Sequence, residues 1–168
     1  MREGALAASD QPVGTPDQPA QGSSEAPVDP ERWRLSVVVG ISMELPSVYP
    51  EIQIRESAAP YRELRIPVGL AEGTAIAYAW RGLEAPRPLT HDLTIDLLTS
   101  HQVSVEGVRI THRVGQVFFA ELETMGPRGR RVVPCRPSDA IALLLRQSLP
   151  TPLLVADEVL DGRETGEP

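Results

Sequence analysis

The chain has 168 residues, with a hydrophobic content of 41% and an aromatic content of only 4%. Its single cysteine, Cys135, excludes an intramolecular disulfide and a cysteine-cluster metal site, and no apolar run approaches the roughly 20 residues of a membrane span. We therefore expect a cytoplasmic protein without membrane association, whose one domain has a core of aliphatic side chains.

The formal net charge of -7 is unevenly distributed along the chain. Residues 1–30 and 156–168 each hold five acids and one arginine, whereas residues 31–155 hold 14 arginines and 13 acids. The overall acidity therefore does not exclude a polyanionic partner for the central part. All 16 basic residues are arginines, which excludes a catalytic lysine and leaves any phosphate contacts to guanidinium groups.

The N-terminal part has the composition of a disordered segment. Residues 1–30 contain five of the 17 prolines, together with Gly, Ser, Gln and Asp, and this composition cannot bury enough apolar surface to offset the entropy cost of ordering. We predict a disordered Pro/Gly/Ser-rich tail over residues 1–30, an α+β domain over residues 31–160, and a flexible acidic tail over residues 161–168.

Alternation of residue types predicts three strands at the start of the domain. From Trp33 to Leu45, apolar residues including Leu35 and Val37 occupy every second position, which is typical of a strand with one buried face. The same period recurs in residues 52–54 and 64–68. A helix over residues 70–81 follows, and Gly82 is a suitable left-handed C-terminal cap.

A second helix is predicted over residues 90–101, with Thr90 as its N-cap. Its predicted buried stripe consists of Leu93, Leu97 and Leu98. Asp92 and Asp96 lie one turn apart, a like-charge pair that costs about 0.2–0.5 kcal/mol unless a metal ion or an arginine relieves it. The alternative for this pair is an ordinary solvated helix face.

Further strands are predicted between residues 103 and 135, with a β-bulge at Glu106-Gly107. A third helix over residues 138–148 follows, in which Ser138 can accept a hydrogen bond from a backbone N–H and Asp139 lies in the first turn, where the helix dipole favours an acid. Residues 152–155 form a short last strand. Because the strands come in runs, this order predicts an α+β fold rather than a doubly wound sheet.

The two halves of the domain share a sequence pattern. The Ile-Pro pair at residues 66–67 precedes an Ala-Ile-Ala helix at residues 75–77, and Val133-Pro134 precedes a second Ala-Ile-Ala at residues 140–142. We therefore predict two strand-meander-plus-helix units formed by internal duplication. The alternative is that Ala-Ile-Ala is simply common in helices.

Acids in the first turns of predicted helices are the main candidates for chemistry. Phosphate-binding glycine loops, paired-histidine zinc motifs and serine nucleophile elbows are absent from the sequence. The candidates are Glu72, Asp92 and Asp139, with His91 beside the second of them. Such carboxylates could hold a divalent ion that activates water and stabilises a phosphate.

Two sequence blocks carry a family resemblance. PRPLTHDL at residues 86–93, followed by RPSDAIAL at residues 136–143, resembles the bifunctional nuclease domain family, over residues 35–160. The resemblance implies an α+β domain that is commonly dimeric, and nuclease activity on both RNA and DNA is attributed to plant members of the family.

The resemblance also implies a set of site residues. The catalytic set is Glu72, His91, Asp92 and Asp139, and the substrate-binding set is Arg87, Thr90, Arg136 and Ser138. We accordingly expect a homodimeric nuclease that acts on DNA or RNA with Mg²⁺ or Mn²⁺. Glu72, Asp92 and Asp139 would be metal ligands or a base, and His91 an acid or base. Since the family often has an acid where Pro134 stands, the alternative is a catalytically inactive dimeric binding or regulatory module on the same scaffold.

Overall fold

The computed structural model describes residues 32–163, which form one seven-stranded sheet and four helices. The strands are β1 (Trp33–Ser42), β2 (Glu51–Glu56), β3 (Glu63–Pro67), β4 (Ser104–Val114), β5 (Val117–Gly126), β6 (Gly129–Cys135) and β7 (Leu153–Ala156). The helices are α1 (Leu70–Trp80), α2 (Thr90–Ser100), α3 (Pro137–Leu144) and α4 (Asp157–Leu160). The α+β prediction is confirmed. The predicted tail of residues 1–30 and residues 164–168 of the acidic tail lie outside the described residues, and the domain boundaries stay predictions.

The sheet has the strand order β3-β2-β1-β7-β4-β5-β6. β1 to β3 form one antiparallel meander and β4 to β6 form another. β7 joins the two meanders, antiparallel to β1 and parallel to β4. Since α1 follows the first meander and α3 the second, the topology contains two strand-meander-plus-helix units, whereas the internal duplication itself stays a prediction.

The core between the helices and the sheet is aliphatic, as the composition predicts. The isoleucines at positions 52, 54, 76, 110 and 141 are fully buried, and each contributes about 1.5–3 kcal/mol of apolar burial. Gly73 allows α1 to approach this core closely, because a Cβ at Gly73 would lie 2.7 Å from Cγ of Pro50. The closeness of α1 to the sheet fixes the position of Glu72, in its first turn.

The predicted buried face of β1 is wrong over the first half of the strand. After a register shift between Val38 and Gly40, Ile41 of the predicted face does pack against the core. Leu35 and Val37 are 54% and 46% exposed, whereas Ser36 and Gly40 are buried. Ser36 is paired with Leu153 of β7, whose side chain belongs to the core. Because valines occupy three successive positions, 37–39, both faces of β1 are apolar, and the alternation alone does not select between them.

The predicted buried stripe of α2 is also wrong. Leu93 and Leu97 are 54% and 53% exposed, and Leu98 is partly buried. α2 contains no buried residue, because it packs beside α3 instead of lying on the sheet. Leu98 is the member of the predicted stripe that contacts the core, together with Ile95 three positions before it.

The helix starts differ from the predicted caps. Thr90 is the first residue of α2 rather than its cap, and the Leu89 N–H donates to a carboxylate oxygen of Asp92 at 2.6 Å. Ser138 makes no capping hydrogen bond, because α3 starts one residue earlier, at Pro137, whose ring fixes φ near the helical value. α3 ends at Leu144, short of the predicted residue 148.

Two local predictions are confirmed. Gly82 has φ of +63° just after α1, and the β4–β5 register shifts between Val105 and Gly107.

None of the helices within residues 32–163 combines the length and the apolar character needed to cross a bilayer. The cytoplasmic location stays a prediction.

Candidate active site

The first turns of three helices meet around one cleft. Its volume is about 770 Å³, and its walls come from the first half of α1, the start of α2 and the start of α3. The polar side chains in this lining are Glu72, Thr74, Thr90, His91, Arg136 and Asp139. Five of them belong to the site predicted from the sequence.

Four of these side chains form one group around Arg136. We call it the Arg136 cluster, and its members are Glu72, His91, Arg136 and Asp139. The guanidinium donates two hydrogen bonds to the Asp139 carboxylate, Nε to Oδ2 at 2.8 Å and Nη2 to Oδ1 at 3.0 Å. Its Nη1 donates to Oε1 of Glu72 at 3.0 Å. Arg136 is the extended N-cap residue of α3, three positions before Asp139, so its side chain can fold back onto the first turn of the helix.

Both carboxylates of the cluster are held in their charged form. The hydrogen bonds from Arg136 lower the pKa of Asp139, and His91 acts in the same direction. The pKa of Glu72 is lowered first by a hydrogen bond from its own backbone N–H at the start of α1, and then by Arg136. A carboxylate with a lowered pKa is a weak base, so these two acids are better suited to bind cations than to remove protons.

Gly69 fixes the orientation of the Glu72 side chain. A Cβ at Gly69 would collide with Oε2 of Glu72, so the carboxylate lies against the backbone just before α1. Gly69, Glu72 and Arg136 also line a second cavity of about 260 Å³, which shares Glu72 and Arg136 with the main cleft. Arg136 thus separates two adjoining cavities.

His91 is the group of the cluster that can transfer a proton. Its side chain is 16% exposed, and Nε2 lies 3.6 Å from Oδ1 of Asp139, too far for a hydrogen bond but close enough for an ion pair when the ring is protonated. The other ring nitrogen, Nδ1, is buried and has no hydrogen-bond partner in the described residues. An imidazole can both accept and donate a proton, which suits general acid–base chemistry.

Asp92 belongs to a different contact. Arg146 donates from Nε to Oδ1 of Asp92 at 2.6 Å, and this hydrogen bond is the main cause that lowers the pKa of Asp92. Arg146 also donates to the backbone carbonyls of Ala75 and Ala142, so it joins all three helices that form the cleft. Of the two groups expected to relieve the Asp92–Asp96 repulsion, the structure contains the arginine. Asp92 therefore positions α2, and with it His91.

Arg146 was missed by sequence reasoning. Asp92 and Arg146 are 54 residues apart, and no local pattern relates them. The available signal was an arginine placed one helical turn after Ala142, at the end of the predicted third helix, where it can bond the last carbonyls of that helix.

Of the remaining predicted site residues, two line a cavity and one does not. Thr90 is exposed on the wall of the main cleft, and the buried Ser138 lines the adjoining cavity with Arg136. Arg87 is exposed in the connection before α2 and does not line either cavity.

The three predicted metal ligands do not share one set of contacts. Glu72 and Asp139 are joined through Arg136, whereas Asp92 is bonded to Arg146. Within residues 32–163, no group of three or more His, Cys, Asp or Glu side chains is arranged to hold a metal ion. The metal-binding role stays a prediction.

The chain matches a known protein family and is similar to two bacterial proteins. A family model described as "Bifunctional nuclease domain" matches residues 53–167, a range that includes every residue of the Arg136 cluster. Two Mycobacterium tuberculosis proteins are similar: "Uncharacterized protein MT1877" of strain CDC 1551 / Oshkosh and "Uncharacterized protein Rv1829" of strain ATCC 25618 / H37Rv. Each is 41% identical over 113 residues, which cover 67% of this chain and 66% of the relative. The chain therefore spans slightly less than two thirds of each relative's length.

Proposed function

Because the chain belongs to the bifunctional nuclease domain family, we propose that the Arg136 cluster cleaves phosphodiester bonds of DNA or RNA with the help of a divalent metal ion. The observation that carries this proposal is the charge balance of the cluster. One guanidinium is bonded to two carboxylates, so the described cluster has an excess of one negative charge when His91 is neutral. A phosphodiester would be repelled by that charge, and a divalent cation would reverse it.

Arg136 is suited to bind the phosphate. Its side chain is 65% exposed at the boundary between the two cavities, so an incoming ligand can reach the guanidinium. A guanidinium presents paired N–H donors to two non-bridging phosphate oxygens, as it does here to the oxygens of Asp139. The phosphate and the carboxylates thus compete for the same donors.

His91 is proposed to move the proton. It lies on the cleft wall beside Asp139, which would stabilise the protonated ring. As a general base, His91 would take a proton from the attacking water, and as a general acid it would give one to the leaving oxygen. Thr90, exposed on the same wall, supplies a hydroxyl within the cleft.

Two of the three expected metal ligands fit the role. Glu72 and Asp139 offer carboxylate oxygens on one cleft, the ligand type that Mg²⁺ and Mn²⁺ prefer. Asp92 does not fit, because it does not line this cleft and is bonded instead to Arg146. When bound, the ion would lower the pKa of a water molecule and neutralise charge on the phosphate. For coordination, Arg136 must release at least one of its carboxylate bonds.

We also propose that the protein forms a homodimer. Leu93 and Leu97, one turn apart on α2, are more than half exposed, and a second copy packed on α2 would remove them from water. Light scattering at micromolar concentration should give twice the 18.3 kDa of one chain. Replacing Leu97 with glutamate should shift the mass toward one chain, whereas replacing the exposed Leu149 should not. A monomeric wild-type protein would contradict this part of the proposal.

A non-catalytic binding or regulatory module is the second candidate. The observation in its favour is that Arg136 already bonds both oxygens of Asp139 and one oxygen of Glu72, so both acids have a partner without a metal ion. In this case the cleft would bind an anionic or acidic ligand at Arg136 and cleave nothing.

A nuclease assay separates the two candidates. Purified protein is incubated with single-stranded and double-stranded DNA and RNA in Mg²⁺, Mn²⁺ or EDTA. The proposal predicts cleavage that requires the metal and that is lost in the His91→Ala and Asp139→Asn variants, while an Arg81→Gln variant, exposed outside the cleft, keeps it. Binding without cleavage under every condition would favour the non-catalytic module.

A further inference from the structure

A separate cavity lies at the opposite end of α2 from the Arg136 cluster and from the two cavities beside it. Its volume is about 340 Å³, and it lies between the residues that follow α2 and the turn that joins β5 to β6. Its lining contains three side chains with nitrogen donors for an anion, His101, Arg128 and Arg131, together with the Thr124 hydroxyl, and no acidic residue. We refer to it as the β5–β6 pocket.

The sheet register explains why Arg131, and not its neighbour Arg130, lies in this pocket. Arg131 is paired with Thr124 and Arg130 with Met125, so the two neighbouring arginines point to opposite faces of the sheet. Arg130 forms an ion pair with Glu123, whereas Arg131 lies beside Thr124 in the pocket lining.

Arg128 and Arg131 differ from Arg130, the arginine between them, which is paired with Glu123. In the part of the chain that the structure describes, neither forms an ion pair with a carboxylate, although Arg109 and Arg136 do. Both are exposed in a pocket with a wall of backbone and apolar side chains, Val103 and Pro127 among them. Two unpaired guanidinium groups and an imidazole around one cavity are the donor set that binds a phosphate group.

The backbone keeps this pocket in shape. Gly126 packs against the segment that follows α2, because a Cβ at Gly126 would lie 3.0 Å from Cγ2 of Val103. Gly129 has φ of +89°, which allows the tight turn that places Arg128 at its tip. Arg128 is therefore carried by a turn that packs against the segment following α2, and Arg131 by the strand that follows the turn.

The position of the pocket relates it to the main cleft. His91 lines the cleft at the start of α2 and His101 lines the pocket just after its end, so the helical rise separates them by about 15 Å. One strand of a nucleic acid duplex has a phosphate about every 3.4 Å along its axis, so this separation corresponds to about four phosphates.

From this geometry we propose that the β5–β6 pocket binds a backbone phosphate of a polynucleotide whose cleaved phosphate lies at the Arg136 cluster. The inference rests on the proposed function, since it extends the same substrate to a second contact. It implies that chains of several nucleotides bind more tightly than a dinucleotide, because only the longer chain reaches both sites.

The three histidines of the chain provide separate probes, His91 in the cleft, His101 in the pocket and His112 on β4. Their ring signals are followed by NMR at constant pH and ionic strength, in Mg²⁺, while inorganic phosphate or a cleavage-resistant 12-nucleotide phosphorothioate single strand is added. We expect phosphate to shift the His101 signal to saturation and the oligonucleotide to shift both His101 and His91. His112 should stay unchanged.

Matched double variants provide the control. Arg128→Gln/Arg131→Gln should weaken oligonucleotide binding at least about tenfold and reduce the slope of log affinity against log salt by about 0.7, the value for one phosphate contact on a single strand. Arg55→Gln/Arg81→Gln removes the same charge from exposed positions on β2 and at the end of α1, and it should change the affinity less than about twofold. Equal weakening in both double variants would overturn the inference, because it would show a general charge effect.

The remaining outcomes separate this inference from the proposed function. A shift of His91 with metal-dependent cleavage, but with His101 unmoved, would overturn the second contact and keep the nuclease proposal. A shift of His101 by phosphate alone, and not by the oligonucleotide, would overturn the polynucleotide contact. A shift of His101 by the oligonucleotide in a protein that cleaves nothing would support the phosphate pocket and reject the nuclease.

Discussion

Two arginine-centred clusters in this protein use the same residue types for different purposes. The Arg136 cluster surrounds a 65% exposed guanidinium beside a cleft. The second cluster, which we call the Arg62 cluster, surrounds a guanidinium whose side chain is only 21% exposed, and it consists of Arg34, Glu56, Arg62, Asp157, Asp161 and Arg163. The difference lies in solvent access and in charge balance.

The Arg62 cluster is fully paired. Arg62 donates to both oxygens of Glu56, at 3.0 and 3.1 Å, and to Asp157 at 2.9 Å, so it joins the end of β2 to α4. Three arginines face three carboxylates, whereas the Arg136 cluster has two carboxylates for one arginine. A balanced cluster around the buried Glu56 holds the fold together, and an unbalanced cluster around an exposed arginine can bind a ligand.

The largest expected effect tests the structural cluster. Arg62→Met leaves the Glu56 carboxylate, whose side chain is 4% exposed, without its main partner, so the free energy of unfolding should fall by about 3–5 kcal/mol in urea denaturation. Arg65→Met, which breaks an exposed pair with Glu44, should cost about 0–1 kcal/mol. Equal losses in the two variants would show that burial does not distinguish these pairs.

A smaller effect is expected where α1 brings Glu72 to the exposed cluster. Gly73→Ala places a methyl group 2.7 Å from Cγ of Pro50, and the overpacking should reduce the free energy of unfolding by about 1–3 kcal/mol. Thr74→Ala, at the next and exposed position of α1, is the matched control and should cost less than about 1 kcal/mol. A Gly73→Ala protein as stable as the wild type would show that α1 can shift away from Pro50.

The acid range should show a difference between the clusters. Arg62 lowers the pKa of Glu56 and Asp157, and Arg136 lowers the pKa of Asp139, so these groups stabilise the fold above their unfolded pKa values of about 3.9–4.3. This stabilisation is lost as the pH falls through the lower folded values. The unfolding free energy should therefore stay level from pH 7 to about 5 and decrease below about 4.

Two variants show which cluster causes the loss of stability at acid pH. Arg62→Met should reduce the dependence of stability on acid pH strongly. Arg136→Gln should reduce it only slightly, because the Asp139 side chain is 34% exposed and its charge is screened by solvent. A stronger effect of Arg136→Gln would contradict the division between a structural and a ligand-binding cluster.

The sequence predicted the parts of this comparison that depend on local patterns. The structure contains the strand alternation of β2 and β3, the start of α2 at Thr90 and the acids in the first turns of α1 and α3. All of these follow from rules that involve neighbouring residues. The convergence of Glu72 and Asp139 on one cleft is likewise present.

Other features depend on contacts between distant residues. Arg136 and Glu72 are 64 residues apart, and Asp92 and Arg146 are 54 apart, so no local spacing indicates which acid bonds to which arginine. Leu93 and Leu97 were predicted to be buried but are exposed, because burial also depends on contacts with distant parts of the chain. Helical spacing identifies an apolar stripe, but the packing of α2 against α3 decides whether it is covered.

The most direct test of the account measures cleavage and stability in the same Arg136→Gln preparation. The account predicts that divalent-dependent cleavage falls at least about 100-fold, because a charged phosphate contact made in the transition state is lost. The free energy of unfolding should change by less than about 1 kcal/mol, because the guanidinium is mostly exposed. Cleavage that stays at the wild-type rate, or a stability loss as large as that of Arg62→Met, would contradict the claim that Arg136 serves a ligand and Arg62 serves the fold.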